Sequence, residues 1–292
     1  MNANKFNAFL LVLCGSILFS CGGETNDATP VEDSDPAVVE DVVVMEDESD
    51  EPEFIIPSAL QIHTIFKSSG LTYIDGVTNP PENTGNYFSK FEKLMNFGVY
   101  SADLFYCVLN DQPNQSIQYL KSIRTLADET GMSAIFNAGP IFERFESNIS
   151  DVDSMLNIML EFQENTDVLI AENNEEHSAM IIFTGAWMEG MYIGLDAARS
   201  SDNEVLRERL VEQMTILPNL VKGLELLPNR NNESDAVHAQ LKSLQDYFDG
   251  IEGLKGEDEY SFNMTAMEDK HFLELYNRVK EIRNTIVKEG AQ

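Results

Sequence analysis

The chain has 292 residues, 43% of them hydrophobic, which is enough to bury a core and excludes a chain disordered throughout. Its 50 acidic and 19 basic residues leave a formal net charge of −31. That field repels phosphate backbones, and no cluster of five or more Lys/Arg interrupts it, so nucleic acid is excluded as a partner, as is attachment to anionic membranes by charge alone.

Residues 1–20 read as a secretory signal. Lys5 and the amino terminus supply a short positive region, Phe6 to Phe19 an apolar stretch too short to span a bilayer, and Ser20 the small residue before cleavage. The order Leu18-Phe19-Ser20-Cys21 resembles a bacterial lipobox, with Phe19 bulkier than is usual at its position. That resemblance implies a lipid attached at Cys21, which becomes the new N-terminus. Two or three acyl chains hold firmly where one does not, at about 0.8 kcal/mol per buried CH₂. Gly22 follows the cysteine in place of an aspartate that would resemble an inner-membrane retention signal, so the resemblance implies the outer membrane.

Residues 21–53 form an acidic tether. Between Gly22 and Glu53 lie 13 Asp/Glu and no Lys or Arg, a composition that cannot collapse and is expected to be disordered. Within it, residues 37–45 carry five valines and a methionine. They are read as apolar spots in a solvated linker, with strand addition to a partner's sheet edge as the alternative.

Residues 54–292 form the body, and its pattern is helical nearly throughout, which sets the fold class as all-α. It is expected to be a multi-helix bundle or helical-repeat-like domain of about eight to nine helices. The first helix runs from Pro57 to Gly70 and is followed by a loop around Asp75-Gly76 and Asn79-Pro80-Pro81. Apolar-periodic stretches then cover 87–110, 113–131, 132–148, 151–173, 177–199, 203–227, 233–254 and 265–289. Pro140 and Pro218 are expected to kink or divide theirs.

Two stretches are apolar on nearly all sides, 94–109 and 179–198, and are expected to be central core helices. Two carboxylates and three glycines argue against the second as a membrane span. "GVYSADLFY" from Gly98 and "GAWMEGMYI" from Gly185 match in their glycine, aromatic and apolar positions, which raises an internal duplication as the origin of the pattern. "NFGVYSADLFY" also resembles the first helix of a tetratricopeptide repeat, with a longer spacing to the next helix. Ala186, Gly190, Gly194 and Ala198 leave one helix face without bulk, where a second backbone at Gly98 and Ala102 is expected to approach.

The chemistry-bearing candidates are few. Asn96, Asp103 and Asn110 share one helix face, and Glu189 and Asp196 share another. Such stripes are either a buried pair with shifted pKa values or narrow solvent-facing edges, and the edges are the expectation because charged residues are seldom fully buried. If instead a pocket exists between the two central helices, Asp103, Glu189, Asp196, Tyr100 and Trp187 would line it. Glu268-x-x-His271 has the spacing of a di-iron ligand pair and Asp235-x-x-His238 repeats it, while His177, Met180, Met188 and Met191 offer soft donors. In so acidic a chain these spacings are near chance, and no metal or other cofactor is expected. Cys107 stands alone in the body, with no base nearby. There is no nucleophile elbow, phosphate loop, dinucleotide fingerprint or zincin motif, so no enzyme class is supported and no catalytic residue is named.

As a whole the chain resembles acidic helical lipoproteins of Gram-negative bacteria. The leading reading of the residues is a membrane-anchored protein-binding or scaffold factor of the cell envelope, acting through a protein partner there. The alternative is a helical receptor or enzyme for a small molecule or metal, with its pocket between the 94–109 and 179–198 helices.

Overall fold

The computed structural model describes residues 59–136, 140–149, 151–173, 175–256 and 261–288. The signal segment 1–20, Cys21 and the 21–53 tether lie outside the described residues. Among the described residues ten α-helices run in chain order: α1 (Ala59–Ser68), α2 (Lys90–Leu109), α3 (Pro113–Thr130), α4 (Ile141–Ser147), α5 (Val152–Asn173), α6 (Glu176–Arg199), α7 (Glu204–Gln213), α8 (Leu217–Glu225), α9 (Asn232–Asp249) and α10 (Asp269–Val287). Among the described residues there is no β-strand, only an isolated bridge between Lys255 and Phe262. The class is all-α.

Local chemistry sets the helix ends. Ser89 begins α2 with a capping box, its hydroxyl accepting from the Glu92 N–H while the Glu92 carboxylate accepts from the Ser89 N–H. Asn231 and Ser234 make the same reciprocal pair at α9. Pro113 sits at the start of α3, where its missing N–H costs nothing, and Gly131 stops that helix in the left-handed region at φ 85°. Both internal prolines lie at helix starts, and the one at 218 changes the helix count. Among the described residues of the expected 132–148 helix, a 3₁₀ turn, Ser133–Phe136, precedes Pro140, and α4 starts directly after that proline. Near Pro218 the expected 203–227 helix divides into α7 and α8, joined by a 3₁₀ turn, so ten helices replace the eight or nine anticipated.

The helices share one core. Its centre is α2 on α6, the most extensive helix–helix interface among the described residues. Around this pair lie α3, α1 and α10, while α9 packs on α8 and α10. Both central helices are buried along nearly their whole length, as their all-round apolar sequences require.

Two glycines fix the crossing, and they do so reciprocally. A Cβ at Gly98 would stand 1.8 Å from the Ile182 carbonyl oxygen, and one at Gly185 would stand 1.9 Å from that of Met95. Only hydrogen at these two positions lets the backbones come so close. The contact therefore runs through Gly185 and its neighbour Ala186, and Gly194 of the small-residue stripe faces other helices. A Cβ at Gly194 would meet Leu210 of α7 and Phe66 of α1.

No helix among the described residues is long and apolar enough to cross a membrane.

Candidate functional site

The main polar feature of the molecule is inside it. Asp103 of α2 and Glu189 of α6 are each 0% exposed, which overturns the expectation that their stripes are solvent edges. The physical reason is a partner contributed by a distant helix. Arg283 of α10, itself 4% exposed, donates from Nε to Glu189 Oε2 and from Nη2 to Glu189 Oε1, both at 2.9 Å. This two-pronged bond matches the planar guanidinium to the carboxylate and offsets much of the cost of taking both charges out of water.

Asp103 is placed differently. Its Oδ2 accepts from the Asn79 backbone N–H at 3.1 Å, while its Oδ1 has no hydrogen-bond donor. Burial holds its carboxyl well above the usual carboxylate range, and the negative charge of Glu189 adds to that rise. Arg283 pulls the other way and does not prevail. For Arg283 itself burial works against the charge, but Glu189 outweighs burial, and its pKa is raised.

The cluster holds a loop. Residues 71–87 cross over the C-terminal part of α2 and are gripped by buried side chains at successive points. Tyr106 Oη accepts from the Ile74 N–H at 2.6 Å, and Tyr119 of α3 donates to Thr78 Oγ1 at 2.6 Å. Arg283 Nη2 donates to the Val77 carbonyl at 3.4 Å, and Tyr100 donates to the Pro80 carbonyl at 3.0 Å. Asn79 Nδ2 donates to Tyr87 Oη at 2.9 Å. Burial raises the pKa of all four tyrosines, so they stay neutral hydroxyls. Val77 and Asn79 are buried as a result, although they belong to a segment without regular structure.

From Arg283 the network continues outward along α6 and α10. The guanidinium lies 4.5 Å from the centre of the Tyr192 ring, and Tyr192 stacks on Tyr276 with centres 6.1 Å apart. Arg199 covers Tyr276 at 4.5 Å and pairs with Asp196 at 2.9 Å. Burial, followed by Asp196, pushes the Tyr276 hydroxyl up to about 12. Asp196 thus sits near the outer end of the ladder that Glu189 begins, two turns along the same helix face.

Comparison with family models, with curated proteins and with solved structures finds no match to this chain.

The five residues anticipated around a pocket are therefore split. Asp103 and Glu189 come together, Tyr100 joins them through the loop it holds, and Asp196 reaches the surface. Trp187 is wholly buried with its Nε1 unpartnered, about 200° around α6 from Glu189 by helical geometry. Asn96 is also buried, its Nδ2 donating to the carbonyls of Glu92 and Ile286, whereas Asn110 lies toward the surface and accepts from Lys67.

Neither histidine spacing assembles ligands. His271 Nδ1 bonds Tyr247 Oη at 3.0 Å, Glu268 pairs with Lys270, and His177 is exposed while Met180 and Met188 are buried. Among the described residues no group of three or more His, Cys, Asp or Glu is placed to hold a metal ion. Cys107 is buried, and burial raises its thiol pKa.

Two surface hollows, of about 230 and 140 Å³, are lined by neither Asp103 nor Glu189. The larger lies between the start of α2, the start of α9 and the end of α10, with Phe91, Met95, Val237 and Ile286 as its apolar lining. Beside it stands Phe88, 78% exposed, with the Lys288 ammonium 5.0 Å from its ring centre. Lys288 in turn pairs with Glu92, which lines the hollow, at 2.7 Å.

Sequence reasoning missed Arg283, Asn79, Tyr87 and Tyr119. For Arg283 a signal existed. It follows Val279 by four residues and precedes Ile286 by three, so it lies on the apolar stripe of α10 where a charge needs a buried partner.

Proposed function

We propose that this chain is a lipid-anchored helical protein of the bacterial outer membrane that acts by binding a protein partner in the cell envelope. The anchor is supported by the Leu18-Phe19-Ser20-Cys21 order and the acidic stretch that follows it. The observation that carries the binding role is the corner where Phe88 stands exposed beside the apolar hollow of Phe91, Met95, Val237 and Ile286. An aromatic side chain in water next to an apolar depression is a common anchor for a protein contact.

The buried charges support the same reading. Asp103, Glu189 and Arg283 are engaged with one another and with the 71–87 loop. A small-molecule or metal pocket between α2 and α6 has less to rest on, because at the Gly98–Gly185 crossing the backbones leave no room for a methyl group.

The test is a photoreactive amino acid at position 88 in intact cells, with Leu273, another exposed apolar residue, as the control position. A discrete protein adduct at 88 that is absent at 273 and lost on Val237→Glu is expected. Adducts to lipid alone, or the same adducts from both positions, would refute the assignment of the contact to this corner.

A further inference from the structure

The buried cluster has an unbalanced charge. Two carboxylates, Asp103 and Glu189, face one guanidinium, and both Glu189 oxygens already accept from Arg283. The only other buried charged side chain among the described residues, Glu92, has its own partner in Lys288. With both acids ionised, the interior would carry a net negative charge at zero exposure, which is among the most costly arrangements a core can hold. Asp103 Oδ1 also has no donor, while Glu189 stands within hydrogen-bonding reach of Asp103. Two ionised carboxylates cannot bond to each other. One proton resolves both faults, since it makes the trio neutral and supplies the missing hydrogen bond.

We propose that Asp103 is the neutral acid in the folded protein, donating its proton to Glu189, and that this single proton latches residues 77–79 into the core. Asp103 holds Asn79 through its N–H, and Arg283, kept in place by Glu189, holds the Val77 carbonyl. Loss of the proton restores the uncompensated charge and favours a state in which the loop swings out and Asp103 meets water.

The groups whose charge couples to Asp103 are Glu189 on α6, Arg283 on α10, Tyr119 on α3, Tyr87 at the end of the loop, and Tyr100, Tyr106 and Cys107 on α2. Burial raises the pKa of the four tyrosines and of Cys107, leaving them neutral, and Arg283 remains charged. The direction of the pH effect follows. An acid whose folded pKa is raised adds stability that is complete below its unfolded pKa and is lost as pH rises through the folded value.

Hydrogen exchange on the full chain reads the latch. The reporters are the N–H groups of Ile74, Asn79 and Asn83, bonded to Tyr106 Oη, Asp103 Oδ2 and the Pro80 carbonyl. After correction for intrinsic exchange, their opening should rise about tenfold per pH unit from about pH 5 upward until Asp103 ionises in the fold. Amides of α9 should not follow. Asp103→Asn keeps an acceptor for Asn79 and a donor for Glu189, so protection should be retained and the pH slope lost. A flat profile in the parent, or the same slope in Asp103→Asn, would overturn the latch.

Infrared spectra decide the protonation directly, even should Asp103→Asn fail to fold. At neutral pH a protonated-carboxyl band should be present and should shift when aspartate is labelled with carbon-13. Absence of the band, or no shift with the label, would overturn the assignment of the proton to Asp103.

Discussion

Arg283 holds Glu189 by two hydrogen bonds of 2.9 Å across 94 positions of the chain, in an interior where neither side chain is more than 5% exposed. This ion pair joins α10 to α6 at the centre of the fold. Its value lies in not being broken. Arg283→Met leaves the Glu189 and Asp103 carboxyls buried with no cation, so urea unfolding should show a loss of about 3–5 kcal/mol. Replacing both residues, Glu189→Leu with Arg283→Met, should recover most of that loss. A single substitution that melts with the parent would show the pair to be solvated in solution.

The α2–α6 crossing makes a sharper demand on size. Gly98→Ala and Gly185→Ala would each drive a methyl into a backbone carbonyl oxygen, which cannot rotate away as a side chain can. Each should cost about 1–3 kcal/mol or more from overpacking. Gly85→Ala, with nothing within 4 Å of its new Cβ, is the control and should stay within about 0.5 kcal/mol of the parent. Thermal melts of the three variants provide the comparison.

Lys288 and Glu92 tie the end of α10 to the first turn of α2, with Lys288 also donating to the Asn86 carbonyl at 3.0 Å. Burial alone would raise the Glu92 pKa, but Lys288 and the N–H groups of Phe88 and Ser89 outweigh it and the net shift is downward. A lowered acid adds stability above its unfolded pKa and loses it as pH falls through the folded value, so this contact weakens only in acid. Lys288→Met should cost about 1 kcal/mol at neutral pH, with a flatter decline below about pH 4.5. Denaturant midpoints taken across the acid range test both parts.

At the other end of the chain, Cys21→Ser should abolish lipid attachment and leave an uncleaved or soluble form. Membrane fractionation with labelled fatty acid is the measurement. A mutant that stays in the membrane with full labelling would sink the lipobox assignment.

Much of the fold was legible because the signals for it are local. Ser89 with Glu92, Pro113, Gly131 and Pro140 act within one or two helical turns, so each helix end is specified by its neighbours along the chain. The all-round apolar character of 94–109 and 179–198 likewise required both helices to be central, and Gly98 marked the contact on one of them, whereas on the other the structure puts it at Gly185 and Ala186 and turns Gly194 of the expected stripe elsewhere. By itself the sequence also determined the acidic N-terminal stretch and the all-α class. What only the tertiary structure decided is the fate of the polar residues on those helices. Spacing puts Asp103 and Glu189 on defined helix faces, but a face with one carboxylate reads the same whether it meets water or a buried guanidinium. Arg283 lies 94 positions from Glu189 and 206 from Val77, and no local pattern brings such residues together. Burying a charge is tolerable only when its partner is already in place, and the packing of α10 on α6 is what puts Arg283 there.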